Sequence, residues 1–275
     1  MIRKSFIFVL LLFFLGNGIL AQDVFTLVSW NIQHMGKSKD DREIEVMARS
    51  LKDADLVAIQ EVVAGYGGSQ AIARLAEALN RKGERWDYRI SDPTSSTPQT
   101  REKYAFLWKS RRVKLLGRPG LEKSFEEEIN REPYMARFLV QGVALSVISF
   151  HARPKQSQPE REIKYFKFYP NIYPEANLIF LGDFNVPQKH TVFNPLKKMG
   201  YLPALINQKT SLKRKFAENG QYLANPLDNI FFHQEELELV ESGVIDFTRG
   251  MEDLSTANGV SNHLPVFLSF RVVEE

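Results

Sequence analysis

At 275 residues and 44% hydrophobic content, the chain can bury one large core or two small ones, which excludes a disordered polypeptide. It has no cysteine, which excludes disulfides, cysteine nucleophiles and thiolate zinc sites. A formal net charge of +3 is too small to bind nucleic acid by itself, so any such contact needs local patches or a metal.

The N-terminus stands apart. Arg3 and Lys4 precede an apolar run from Phe6 to Leu15, followed by Gly16, Asn17, Gly18 and a small residue at Ala21. This is the charged, apolar and small-residue order of an export signal, with cleavage expected after Ala21. The other reading, a membrane anchor, requires roughly 20 apolar residues, and Gln22-Asp23 interrupts first. Cleavage lowers Lys+Arg from 36 to 34 against 33 Asp+Glu, a mature charge of +1. The expectation is a signal at residues 1–21 and one exported domain over 22–275, destined for periplasm or medium.

Along that domain, Val24–Trp30 reads as a strand. Asp41–Lys52 has apolar residues at Ile44, Met47, Ala48 and Leu51, the spacing of a helix. Asp55–Gln60 is a short apolar strand. Ser69–Lys82 reads as a helix with Ser69 as N-cap and Gly83 at its stop. Trp86–Ile90, Tyr104–Trp108 and Val113–Leu116 are strands, with a Pro/Ser/Thr loop from Asp92 to Thr100. Met135–Val140 and Val143–Phe150 form a hairpin turning at Gln141-Gly142. Pro159–Tyr169 is expected to be helical. In the aromatic segment that follows, Tyr165, Phe168, Tyr169 and Ile172 share one helical face, which predicts a core-facing helix; a stacking or lipid-facing surface is the other reading. Asn177–Leu181, Leu227–Phe232, Leu237–Ile245 and Leu264–Val272 complete the strands. Helices separate some strands while others follow directly, which implies two packed sheets with helices outside. Three basic stretches, Lys109–Lys114, Arg153 with Lys155, and Lys213–Lys215, read as solvated turns or as phosphate contacts.

Several apolar strands end in polar residues. One ends in Asn31, one in Gln60 and Glu61, one in His151, and one in Gly182, Asp183 and Asn185. Asp228 opens another strand, and Asn262 and His263 precede the last. Taken singly, each has an ordinary reading: a solvated strand end, a Gly-Asp turn, a structural histidine, a cap. Together they supply hard oxygen ligands for Mg²⁺ or Ca²⁺ and two imidazoles that exchange protons near neutral pH. In α/β sheets such strand ends gather at one edge, where ligands sit.

The blocks Trp30-Asn-Ile-Gln33, Ile59-Gln-Glu-Val62, Arg101–Trp108, Arg131-Glu-Pro-Tyr134, Ser149-Phe-His-Ala152, Gly182-Asp-Phe-Asn185, Leu227-Asp-Asn229 and Ser261–Val266 run in order across nearly the whole mature chain. In them the chain resembles the endonuclease/exonuclease/phosphatase superfamily, and most closely its deoxyribonuclease I branch. The resemblance implies a four-layered α/β/β/α sandwich of two mixed sheets and outer helices, with metal-dependent phosphodiester hydrolysis; the leading expectation is a monomeric, Mg²⁺-dependent nuclease acting on DNA, with Mn²⁺ or Ca²⁺ as the other candidate ions. It implies metal ligation by Glu61, with Asn31, Asp183 and more weakly Asn262. Glu102 would orient His151, and Asp228 would orient His263. Asp183 and Asn185 would position water and a phosphate oxygen, and Arg131 would contact the phosphate. Which histidine is base and which is acid stays open, and Asp183 is a further candidate base.

The chain departs from that pattern in three places. Asn262 stands where the family usually has aspartate, which predicts a weaker metal site or a changed ion preference. Val63 and Thr100 replace an arginine and a tyrosine that would follow a minor groove, which weakens the expectation of double-stranded DNA. The family's disulfides are absent as well. These departures keep two other readings open: a phosphatase or phospholipid phosphodiesterase on the same scaffold, and a catalytically degenerate binding protein.

Overall fold

The computed structural model describes residues 24–174, 176–251 and 253–273, so the expected export signal at 1–21 lies outside the described residues. In chain order the strands are β1 (Phe25–Met35), β2 (Leu56–Val63), β3 (Trp86–Ile90), β4 (Glu102–Lys109), β5 (Val113–Leu121), β6 (Tyr134–Val140), β7 (Val143–His151), β8 (Asn177–Asp183), β9 (Tyr201–Pro203), β10 (Asp228–His233), β11 (Leu237–Val244) and β12 (Val266–Val272). The α-helices are α1 (Asp41–Leu51), α2 (Tyr66–Asn80), α3 (Glu160–Ile163), α4 (Tyr169–Ile172), α5 (Asn194–Lys198) and α6 (Leu254–Val260). Among the described residues no helix is long and apolar enough to cross a membrane.

The strands form two sheets, in the orders β11-β12-β1-β2-β4-β3 and β5-β6-β7-β8-β10-β9. Each is mixed: β1 runs parallel to β2, and β7 parallel to β8, within otherwise antiparallel neighbours. Successive strand side chains point to opposite faces, so β4 serves two layers at once. Tyr104, Phe106 and Trp108 face the second sheet and join Tyr134 and Phe138 of β6, with the Phe106 and Tyr134 rings 5.1 Å apart. Ala105 and Leu107 face outward, into the layer formed by Ile44, Met47 and Leu51 of α1 and Ile72, Leu75 and Leu79 of α2. On the far side, Ile163, Phe166, Tyr169 and Leu196 cover Ile148, Phe150, Phe180 and Phe231. Each fully buried large apolar side chain contributes about 1.5–3 kcal/mol, so the three apolar layers hold the α/β/β/α sandwich together. This is the architecture expected from the sequence.

Local departures have physical causes. The hairpin turns at Gln141 and Gly142, both at positive φ (52° and 87°), as a two-residue turn requires. Helix α2 starts at Tyr66 with Gly65 as its cap, not at Ser69. Its first turn lies so close to β2 that a Cβ on Gly68 would sit 2.1 Å from the Val63 carbonyl oxygen. The expected helix Pro159–Tyr169 breaks into α3, a 3₁₀ turn and α4. Its core-facing residues are Ile163, Phe166 and Tyr169, while Phe168 and Ile172 are exposed, so the single apolar face expected there does not form. The Lys109–Lys114 stretch lies at the end of β4 opposite Glu102, and Asp55 binds Arg112 Nε at 3.0 Å and Lys109 Nζ at 3.7 Å. That patch is a structural corner, remote from the polar strand ends.

Candidate active site

Strand register brings the polar ends together. His151 of β7 lies beside Asp183 of β8, and Asp183 lies beside Asp228 of β10. In the other sheet Asn31 pairs with Gln60, and Val63 with Glu102. The two sheets are stitched at this edge. Gln60 Nε2 donates to Ser149 Oγ at 2.9 Å, and Asn31 Nδ2 donates to both Glu61 Oε1 and Asp183 Oδ2 at 3.1 Å. Backbone geometry aims the side chains: Glu61 and Asn185 hold φ of 59° and 53°, a region that costs a non-glycine residue about 1–3 kcal/mol. Gly182, at φ 139°, admits nothing larger, since a Cβ there would lie 1.8 Å from the Phe150 carbonyl oxygen.

Two imidazole–carboxylate pairs result, and each takes its partners from opposite sheets. His151 Nδ1 lies 2.9 and 3.1 Å from the Glu102 oxygens. His263 Nδ1, from the segment leading into β12, lies 2.8 Å from Asp228 Oδ2, which also accepts from Thr210 Oγ1 at 2.6 Å. Both rings present Nε2 to Asp183 Oδ2, at 3.6 Å from His151 and 3.7 Å from His263. Carboxylates at Nδ1 fix the tautomer and leave Nε2 to face the cleft.

Burial opposes charge on both rings, but the neighbouring carboxylates outweigh it. His151 is raised by Glu102 and Asp183 against Arg131, and His263 is pushed up to about 10 by Asp228 and Asp183. Burial also lifts the Asp183 carboxyl above the usual carboxylate range, although both imidazoles pull it down. For Glu61 burial works upward too, but His151, Asn31 and His34 hold it below the ordinary value. Glu61 therefore stays an anion at the mouth of the cleft, with its side chain 22% exposed.

The donor set suits a hard divalent cation. Glu61 offers a carboxylate, and the amide oxygens Asn31 Oδ1 and Asn262 Oδ1 are buried with no hydrogen-bond partner. Buried orphan acceptors are what an ion or its waters would satisfy. Asp183, Asp228 and His263 have ligand atoms within 4.8 Å of one another, but Asp228 is already committed to His263 and Thr210. The orphaned oxygens are thus those of Asn31 and Asn262, beside the Glu61 carboxylate, which accepts from Asn31 Nδ2 and the His34 N–H, with Asp183 behind them.

Arg131 sits deeper than the sequence suggests. Its guanidinium donates to Glu102 Oε2 at 3.2 Å, to the His151 carbonyl at 3.0 Å and to the Ala152 carbonyl. Asn185 Nδ2 donates to Ala152 O at 3.0 Å, and its backbone N–H donates to Asp183 Oδ1 at 2.9 Å. A cleft of about 530 Å³ opens over these groups, with His34, Val63, Thr100 and Arg101 at its walls.

Residues 28–263 match the family described as Endonuclease/Exonuclease/phosphatase family. The chain belongs to the endonuclease/exonuclease/phosphatase family. Two curated relatives carry deoxyribonuclease names, as expected for the deoxyribonuclease I-like branch. The "Deoxyribonuclease" of Thioalkalivibrio sp. (strain K90mix) is 27% identical, covering 98% of this chain and 77% of that one. "Deoxyribonuclease-1-like 1" of Sus scrofa is 27% identical, covering 94% and 83%. The crystal structure of an endonuclease/exonuclease/phosphatase family protein from Bacteroides thetaiotaomicron shares the fold at TM-score 0.67 and 15% identity, covering 92% and 99%. Family membership makes the chain a hydrolase of phosphate ester bonds.

Several members of this family site were not singled out from the sequence. Thr210 steadies Asp228. Ser261 accepts from the His263 backbone N–H at 3.0 Å and donates to Asn31 O at 2.6 Å. Trp30 Nε1 donates to the His263 carbonyl at 2.8 Å. Trp30 and Ser261 lie inside the strand-end motifs, whereas Thr210 has no local signature.

Proposed function

We propose that the protein is an exported, Mg²⁺-dependent nuclease that hydrolyses DNA phosphodiester bonds. The carrying observation is the convergence of two imidazole–carboxylate pairs on Asp183, at 3.6 and 3.7 Å. The deoxyribonuclease names of both curated relatives support the substrate class. The Arg3–Ala21 pattern supports export, with removal of residues 1–21 leaving the catalytic domain 22–275.

A phosphodiester repels an attacking hydroxide, and a bound cation would offset the charge that develops on phosphorus-bound oxygens. Glu61, Asn31 and Asn262 would hold that ion, with Asp183 facing it. A water oxygen attacks phosphorus, one imidazole accepts the water proton, the bond to the leaving oxygen breaks, and the other imidazole supplies that oxygen's proton. His151 is assigned as the base, its Nδ1 held by Glu102 and its Nε2 turned to the cleft. His263, raised to about 10, is the better acid. Asn185 is left to donate to a phosphate oxygen. Arg131 holds Glu102 and the His151–Ala152 backbone while also lining the cleft, where its motif implies a phosphate contact.

Incubating supercoiled plasmid with purified protein and Mg²⁺ tests the reading. Nicking that His151→Ala abolishes is expected; no nicking, with His151→Ala indistinguishable from wild type, overturns it. Val63, 38% exposed in the cleft wall, favours a second reading of a phosphatase or phospholipid phosphodiesterase. Faster turnover of inositol phosphates or sphingomyelin than of DNA would select that reading.

A further inference from the structure

Of the three basic stretches, Lys213–Lys215 is the one carried on a loop that pairs with the His263 segment. Lys109 and Arg112 are committed to Asp55, and Arg153 lies 3.0 Å from Glu162. Among the described residues Lys213, Arg214 and Lys215 make no ion pair, and Arg214, Lys215 and Phe216 are exposed. Glu218 is the one acid on the same loop, so residues 213–218 carry a local excess of positive charge.

These residues ride on an arm built from the catalytic segment itself. Ser211 bridges His263, and Leu212 bridges Leu223. Leu212 N–H donates to the Asn262 carbonyl at 2.7 Å, and Lys213 N–H donates to the Tyr222 carbonyl at 2.7 Å. The tip closes with Ala217 N–H on the Gln221 carbonyl at 2.9 Å. On the way back, Tyr222 Oη donates to Asp246 Oδ2 at 2.7 Å and anchors the arm from the other side. A cavity of about 440 Å³ beside the arm is lined by Gln33, Arg214, Ser255, Asn258 and Asn262. Asn262 also lines the catalytic cleft, so the two spaces meet at that residue. Phe216 leaves 51% of its surface in solvent with its ring 6.1 Å from that of Tyr222.

We propose that the arm and its cavity form a second substrate subsite, which holds the polynucleotide strand beyond the scissile phosphate. Arg214 and Lys215 take a neighbouring phosphate, and Phe216 offers an aromatic face to a base. Cations that track the backbone beside a ring that stacks are the general means of gripping a nucleic-acid strand without reading its sequence. The subsite gives the chain a grip on the strand where Val63 and Thr100 withhold one. It rests on the nuclease reading.

The test compares wild type, Arg214→Ala/Lys215→Ala and Phe216→Ala on two substrates, an oligonucleotide and bis(p-nitrophenyl) phosphate, which is too small to reach the arm. The expected result is a KM for the oligonucleotide raised about tenfold in each variant, with turnover of the small diester unchanged. Oligonucleotide affinity in the double variant should also lose salt dependence, its log–log slope falling by about 0.7 per lost contact on a single strand or about 0.9 on a duplex. Unchanged KM and salt slope overturn the subsite. Equal losses on both substrates overturn it too, since the arm would then act through His263 alone. If wild type cleaves neither substrate, the nuclease reading falls separately. Binding of a labelled oligonucleotide then decides the arm: loss in the double variant supports it, and equal binding removes it.

Discussion

Replacing Asp228 with asparagine removes the charge beside His263 while keeping the side chain's size and an acceptor for Thr210. Burial opposes protonation of His263, yet Asp228 at 2.8 Å and Asp183 at 3.7 Å outweigh it and push the ring up to about 10. At pH 8 such a group is about 99% protonated, whereas an ordinary imidazole near 6.5 is about 3% protonated. Asp228→Asn is therefore expected to cut the acid-competent fraction by up to about 30-fold at pH 8. Loss of the tautomer and orientation would extend the deficit toward the roughly 10²–10⁴ of a missing acid. The deficit should shrink below about pH 6, where an ordinary imidazole is charged as well. The same linkage governs stability. A raised histidine contributes stability that is full below about pH 6.5 and is lost as pH climbs through the folded value of about 10. The gap in denaturation midpoint between wild type and variant should then close toward alkaline pH. The assay is a kcat/KM profile on a small diester from pH 5 to 10, with urea melts at both ends. An alkaline limb that superposes on wild type would refute the assignment of His263 as an acid held charged by Asp228.

Three further outcomes are expected. Gly182→Ala should destabilise by about 3 kcal/mol or more, because its Cβ meets a backbone oxygen that strand pairing cannot move; a urea midpoint within error of wild type would contradict this. Arg131→Ala should cost about 3–5 kcal/mol, since Glu102 and two carbonyls lose a buried partner. Its check is the same melt, and a loss of activity with no loss of stability would instead return Arg131 to the phosphate. Asn262→Asp puts an anion in place of an orphaned amide acceptor and should tighten divalent-ion binding; calorimetric titration with Mg²⁺, Mn²⁺ and Ca²⁺ checks it, and coincident isotherms would remove Asn262 from the ion's surroundings.

The layers were legible because periodicity carries them. Apolar spacing along α1 and the alternation on β4 state which face each element buries. The site was legible because its residues interrupt apolar strands at their ends, and register then aligns His151, Asp183 and Asp228 without further instruction. Other features have no local trace. The left-handed backbone at Glu61 and Asn185 is one, since neither residue type announces it. Helix α6 carries little periodicity because Leu254–Val260 is short and mostly small or polar, so its Asp253 cap, accepting from Thr256 N–H at 2.7 Å, is clear only in three dimensions. The commitment of Arg131 also depends on contacts across the sandwich, which no spacing within one chain segment encodes.

Because each imidazole draws its carboxylate from the other sheet, the reaction centre doubles as a gauge of how the two halves of the sandwich are aligned. A slide of one half past the other by a single ångström would leave every strand intact and still part both proton relays. Heating should therefore extinguish turnover before it melts secondary structure, and cross-linking the halves far from the cleft should protect the chemistry more than it protects the fold.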